Sequence, residues 1–159
     1  MMDRSHEPAL EFTRLRPEHT QALADFFGKL VAVGAGTFFH PHEFNAKEAD
    51  RIANYSGSDY YCAGFRKGSM VAYAMLRGWD DGFKVPSAGL AVHPDWQGQG
   101  LGRITMEVLH AEVLSRGQHR IRLSVYPDNR RAVALYKSLG YTFSLERRDR
   151  LIGTIELPA

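Results

Sequence analysis

The stretch Val92-His93-Pro94-Asp95-Trp96-Gln97-Gly98-Gln99-Gly100-Leu101-Gly102-Arg103 decides how the rest of the chain is read. The residues before it, Val85 to Val92, are small and apolar and read as a strand. From Gly100 to Arg116 the chain reads as a helix, with Leu101, Ile104, Val108 and Ala111 as its buried stripe. Glycines at 98, 100 and 102 remove side chains where strand turns into helix. Successive backbone N–H groups can then face outward, with the positive end of a helix dipole behind them. Such a turn holds a pyrophosphate or another anion with backbone alone. Spacing excludes two common phosphate loops. A dinucleotide turn needs a third glycine where Arg103 stands, and no Gly-Lys-Ser/Thr of a P-loop follows.

Working outward from that turn, the chain alternates between strand and helix periods. Residues 1–9 are a loose polar start, and Leu10 to Leu15 alternates apolar with polar as a half-buried strand. Pro17 opens a helix whose apolar face is Leu23, Phe26, Phe27, Leu30 and Val31, and Gly34-Ala35-Gly36 stops it. A second helix is expected over Ala46 to Tyr55. Residues 60–66 and 70–77 read as two strands joined by a tight hairpin at Lys67-Gly68-Ser69. Gly117 ends the glycine helix, and Ile121, Leu123 and Val125 then alternate with Arg122 and Ser124 as a fifth strand. Asn129 or Asp128 then caps a helix with Ala132, Leu135, Tyr136 and Leu139 on one face, closed by Gly140. Residues 141–143 and 151–157 supply the last strands. A strand–helix–strand run around the glycine turn implies a parallel pair, and the hairpins elsewhere make the sheet mixed. No repeat or linker interrupts residues 1–159, which read as a single α/β domain.

Bulk properties narrow the functional classes. The chain is 44% hydrophobic and 24% charged with a net charge of +2, so a globular core is expected and a nucleic-acid partner is not. The densest basic run, Arg147-Arg148-Asp149-Arg150, reads as an exposed strand or turn, with phosphate or partner binding as the lesser alternative. The single cysteine, Cys62, excludes an internal disulfide and a thiolate metal site, and reads as a small core residue. No apolar run nears the length of a membrane span and none resembles a signal peptide, so a cytoplasmic protein without a membrane partner is expected.

Two ordered motifs carry a family resemblance. Gln97, Gly100 and Gly102, preceded by Val92-x-Pro94, form Q-x-x-G-x-G. Asn129, Ala132, Leu135-Tyr136 and Gly140-Tyr141 form N-x-x-A-x-x-L-Y-x-x-x-G-[FY]. Together they resemble the GNAT superfamily of acyl-CoA-dependent N-acetyltransferases, from residue 10 to the end. The resemblance implies a GNAT-like layered fold: a mixed, mostly antiparallel twisted sheet with helices on both faces. It implies acetyl-CoA as acyl donor, with the backbone of Leu90, Ala91 and Val92 pairing with the pantetheine arm. The N–H groups of Gly98, Gln99, Gly100, Leu101, Gly102 and Arg103, after Gln97, would hold the pyrophosphate. Asn129 would contact the pantetheine arm or nearby backbone, and Arg131 or Arg103 would meet a ribose phosphate. Tyr136 would be the general acid, since a phenol of reference pKa about 10 stays protonated and can donate to a departing thiolate. The Val92 N–H would face the developing oxyanion.

The acceptor is less legible. The strand 85–92 holds no carboxylate to act as base, which leaves Glu43, His40, His42, Asp80 and Asp81, a water, or an acceptor that arrives deprotonated. The family's acceptor segment lies between the first two strands, and here Thr37 to Asn45 is rich in phenylalanine and histidine. Phe39, His40, His42 and Trp79 are the acceptor-binding candidates, suited to stacking and hydrogen bonding. They favour a small-molecule primary amine of amino-sugar or aromatic type. His40 and His42 have no carboxylate–histidine cluster to complete a metal site, so no metal is expected. The alternatives are a protein N-terminal or lysine acetyltransferase, with an open groove across the acceptor loops, and a non-catalytic CoA-binding module. A homodimer stays open.

Overall fold

The computed structural model describes residues 9–147 and 149–158. The loose start, residues 1–8, and Arg148 of the basic run lie outside the described residues. Seven strands form one sheet: β1 (Leu10–Arg14), β2 (Tyr60–Arg66), β3 (Ser69–Arg77), β4 (Ser87–Val92), β5 (Arg120–Val125), β6 (Thr142–Arg147) and β7 (Arg150–Glu156). Their spatial order is β1-β2-β3-β4-β5-β7-β6. Each neighbouring pair is antiparallel except β4 with β5, the parallel pair that the strand–helix–strand run implies.

Period-2 alternation sorts each central strand into two faces. Tyr73 and Met75 of β3 point to a core built with α1 (Thr20–Ala32) and α2 (Ala46–Ala53), around Leu23, Phe27, Leu30 and Ile52. Ala74 and Leu76 point to the opposite core, built with α3 (Leu101–Ser115) and α4 (Arg130–Leu139) around Met106, Leu109 and Val113. Cys62 lies wholly buried in that second core, as a small apolar residue does.

Local details depart from the sequence expectations in three places. The segment opened by Pro17 begins as a 3₁₀ turn, Pro17–His19, before α1 starts at Thr20, and Val31 ends on the outside at 59% exposure. The buried stripe of α3 is Leu101, Thr105, Met106, Leu109 and Val113, with Ile104 and Val108 half-buried and Ala111 exposed. A polar residue fits there because the Thr105 hydroxyl donates to the Leu101 carbonyl at 2.6 Å, which removes the cost of burying it. The β6 strand runs to Arg147, well past Phe143, because β7 pairs with it along that length.

What positions the site is a failure of pairing. The β4 and β5 strands touch at one register position, Ser87 with Arg122, closed by the Arg122 N–H on the Pro86 carbonyl at 3.0 Å. Beyond it they diverge, and a slot opens through the sheet between the two cores.

Candidate active site

The geometry of β4 determines which backbone groups face the slot. The His93 N–H donates to the Val71 carbonyl at 2.8 Å on β3. Alternation along a regular antiparallel ladder then turns Ala91 and Gly89 toward β3, and Leu90 and Val92 toward β5. Because β5 has splayed away, the amides of Leu90 and Val92 face the slot without a ladder partner. The Val92 carbonyl is taken by the Gln97 side-chain amide at 3.0 Å. The Val92 N–H and both backbone groups of Leu90 remain available to an extended ligand added as a strand.

The slot forms a cavity of about 390 Å³. From the α3/α4 side it is lined by Gln97, Asn129, Arg131 and Tyr136, and from the α1/α2 side by Phe38, Phe39, His40 and Pro41. Leu90, Ala91 and Val92 form one wall, and Tyr126 and Arg150 another. Tyrosine 136 is half-buried within it, and burial alone pushes its phenol up to about 12. The group is therefore protonated at neutral pH and poised to donate rather than accept.

At the slot's rim the chain enters α3. Gly98 and Gly100 both take left-handed backbone, with φ of 76° and 75°, which L side chains avoid. Gly100 occupies the N-cap position and has no side-chain cap, so the first N–H groups of α3 stay unpaired with side chains. Gly102 has a different use: a Cβ there would stand 3.1 Å from Leu135, so its absence lets α3 and α4 approach. Gln97 locks this loop, donating to Val92 on one side and accepting from Arg131 at 3.1 Å on the other. These residues fit a CoA-type donor: unpaired amides along β4, then a side-chain-free cradle at a helix N-terminus.

Of the sequence-derived site residues, Leu90, Ala91, Val92, Gln97, Asn129, Tyr136, Phe39 and His40 line this one cavity. Asn129 also caps α4, its side chain accepting from the Ala132 N–H at 3.4 Å. Of the two arginines, Arg131 lines the cavity and Arg103 does not; Arg103 is bonded to Ser138 on α4. Two acceptor candidates lie elsewhere. Trp79 donates to Gln118 at 3.0 Å and carries the Arg116 guanidinium 3.9 Å above its ring, outside the lining. His42 is spent on the core: its Nδ1 meets the Glu43 carbonyl at 2.7 Å, and its Nε2 meets the fully buried Tyr73 hydroxyl at 2.8 Å. A carbonyl only accepts, so Nδ1 carries the proton and Nε2 accepts from Tyr73.

Of the candidate bases, His40 alone lines the cavity. Asp80 is held by the Tyr55 hydroxyl and by the Ser58 N–H at 2.7 Å, and the exposed Glu43 accepts from Asn45. His40 Nε2 shares a hydrogen bond of 2.6 Å with the Tyr126 hydroxyl, which also accepts from Arg150 at 2.9 Å. Tyr126 was not foreseen, and Arg150 was noted only within the basic run; Tyr126 meets His40, and Arg150 meets Tyr126, through the tertiary fold alone. Among the described residues no group of three His, Cys, Asp or Glu side chains could hold a metal, and no helix is long and apolar enough to cross a membrane.

Burial lowers the His42 pKa, as desolvation of an imidazole must. A folded pKa below the unfolded one means stability that is complete above the ordinary imidazole range. It is lost as pH falls through the folded value. Wild-type protein should therefore lose more thermal stability between about pH 7 and about pH 5 than His42→Phe does. Equal slopes for the two proteins would exclude His42 as the acid-sensitive group.

Comparison with known proteins agrees with this geometry. The sequence profile of the acetyltransferase (GNAT) family matches residues 24–141. The [ribosomal protein bS18]-alanine N-acetyltransferase of Escherichia coli K12 is 38% identical over 106 residues. That stretch covers 67% of this chain and 66% of the relative, so the chain spans just under two thirds of the relative's length. The crystal structure of the ribosomal-protein-S18-alanine N-acetyltransferase from Escherichia coli superposes with a TM-score of 0.74 at 24% identity, covering 95% of this chain and 96% of that one. The Salmonella typhimurium protein yncA, solved with its cofactor acetyl-CoA, gives a TM-score of 0.75 at 20% identity over 94% of this chain and 95% of its own. With its profile matched across both motifs and its fold shared, the chain belongs to the acetyltransferase (GNAT) family.

Proposed function

We propose that this protein transfers an acetyl group from acetyl-CoA to the α-amine of a protein N-terminus, by direct attack. When bound, acetyl-CoA supplies the acetyl group as a thioester. The amides of Leu90 and Val92 hold its pantetheine arm, the loop Gly98–Arg103 its pyrophosphate, and Arg131 a ribose phosphate. Asn129 steadies the arm from the α4 N-terminus. The Val92 N–H faces the oxygen on which negative charge develops. Tyr136 donates its phenolic proton to the sulfur that leaves, and His40 is the nearest basic side chain to the incoming amine.

The observation that carries the acceptor is the open mouth. Phe38 is 45% exposed and His40 is exposed, so the acceptor end is a groove at the surface rather than an enclosed chamber. A peptide end can enter such a groove; a small amine would be only partly surrounded. The ring-stacking case for an amino sugar also weakens, because Trp79 and His42 do not reach the cavity. The ribosomal-protein relative, an alanine N-acetyltransferase by name, supports the same acceptor class. A Tyr136 facing the donor slot speaks against a non-catalytic CoA carrier.

The test is mass spectrometry of a mixed acceptor panel incubated with acetyl-CoA. It should contain peptides with free N-termini, N-blocked lysine peptides, amino sugars and polyamines. Acetylation should appear on free peptide N-termini. Turnover confined to amino sugars or polyamines would overturn the proposal.

A further inference from the structure

We propose that the acceptor side of the cavity is an anion subsite, built by Arg77 and Arg150, that selects N-termini with aspartate or glutamate beside the reacting residue. This rests on the α-amine acceptor proposed above.

The charge of the lining is one-sided. Arg77, Arg131 and Arg150 line the cavity, and no aspartate or glutamate does among the described residues. Arg131 is tied to Gln97 and belongs with the glycine loop. Arg77 is opposite Ser87, five residues back along β4 from Val92. At about 3.3 Å per residue its backbone stands roughly 16 Å from the start of that loop, too far to share the donor's pyrophosphate. Arg150 stands on the other wall, its guanidinium 4.9 Å from the Tyr126 ring.

Both guanidiniums are aimed, and no described side chain neutralises either. Arg77 donates one bond of 3.1 Å to the Pro41 carbonyl, and Arg150 one bond of 2.9 Å to the Tyr126 hydroxyl. The same hydroxyl bonds His40, so Arg77 is anchored at Pro41 and Arg150, through Tyr126, next to the neighbouring His40. A guanidinium has five N–H donors, so most of each fork is unspent. Neither arginine enters an ion pair among the described side chains.

Half-buried cations with no counter-charge among the described side chains suit an anion, and a planar fork suits a carboxylate. They also act on the acceptor itself. An ammonium is repelled by like charge, which favours its neutral, attacking form in a site without a carboxylate base. The same repulsion would weaken binding of a plain N-terminus. A carboxylate on the next residue, one Cα step of about 3.8 Å away, offsets that loss.

The test compares three peptides that differ only at the second residue, Ala-Asp, Ala-Asn and Ala-Lys, as kcat/KM on the wild-type protein. A charge-assisted pair lost on going from Asp to Asn predicts a preference of roughly tenfold or more, with Lys poorest. In Arg150→Gln and Arg77→Gln the Asp-to-Asn ratio should fall toward one, mainly through KM. The wild-type comparison does not depend on either variant folding. Equal rates for the three peptides would overturn the subsite and leave the α-amine acceptor standing. An Asp preference unchanged in both variants would remove the two arginines as its cause. No turnover of any peptide, with turnover of another amine, would remove both proposals.

Discussion

Tyr136→Phe should lower kcat by roughly 10²- to 10⁴-fold, the usual worth of a positioned general acid. Acetyl-CoA affinity should stay close to wild type. The substitution removes one oxygen and keeps the ring, which packs against Tyr141 at 5.8 Å between centroids. Nothing in the backbone cradle changes. The phenol is pushed up to about 12 by burial, so its O–H is present across the working pH range. Its deprotonation cannot therefore set an alkaline limb below about pH 10, the ordinary tyrosine value. Stopped-flow or steady-state thiol release gives kcat, and calorimetry with acetyl-CoA gives the binding constant. Loss of binding together with turnover would assign Tyr136 to donor packing. Full retention of turnover would remove it from proton transfer. A family member that merely carries CoA would show binding in both proteins and turnover in neither.

Gly98→Ala with Gly100→Ala should weaken acetyl-CoA binding by roughly 30-fold or more. Both positions hold left-handed backbone, and an L side chain there costs about 1–2 kcal/mol each. The loop is exposed, so it relaxes to another conformation instead of unfolding the domain. Relaxation turns the N–H groups away, and affinity falls by the fraction of molecules that keep the cradle. At 1.4 kcal/mol per decade, about 2–4 kcal/mol corresponds to roughly 30- to 700-fold. Room is not the issue: a Cβ at Gly100 meets nothing within 4 Å, and one at Gly98 is 3.9 Å from Arg131. Saturating acetyl-CoA should restore most of kcat, because Tyr136 is untouched. An unchanged binding constant would show that the donor's phosphates are held elsewhere.

The proposed donor half of the site was legible because it is local in the chain. A turn of left-handed glycines, a helix start and a tyrosine one helix later are each written in a few consecutive residues. The motif spacings carry them whatever the rest of the fold does. His42 shows the opposite case. Its position among phenylalanines suggested an acceptor contact, yet the fold spends it on the Tyr73 hydroxyl, thirty-one residues along the chain. A buried phenol needs a partner, and only the packed core reveals which residue supplies it. Thr105 on the buried side of α3 is similar, since its bond to Leu101 is invisible to a hydrophobic period.

The sequence by itself determined the order of elements, through hydrophobic periodicity, and the family, through two ordered motifs; it also marked candidate donor-binding residues at a turn whose left-handed backbone glycine adopts readily. Tertiary structure decided the rest. Where β4 parts from β5, Tyr126, Arg150, Arg77 and His40 are brought to one cavity from four separated segments. Of these only His40 was a candidate in the sequence, from its histidine- and phenylalanine-rich segment; the other three reach the cavity through long-range contacts. The acceptor side is therefore a property of the folded surface, and its charge and openness could be read only there.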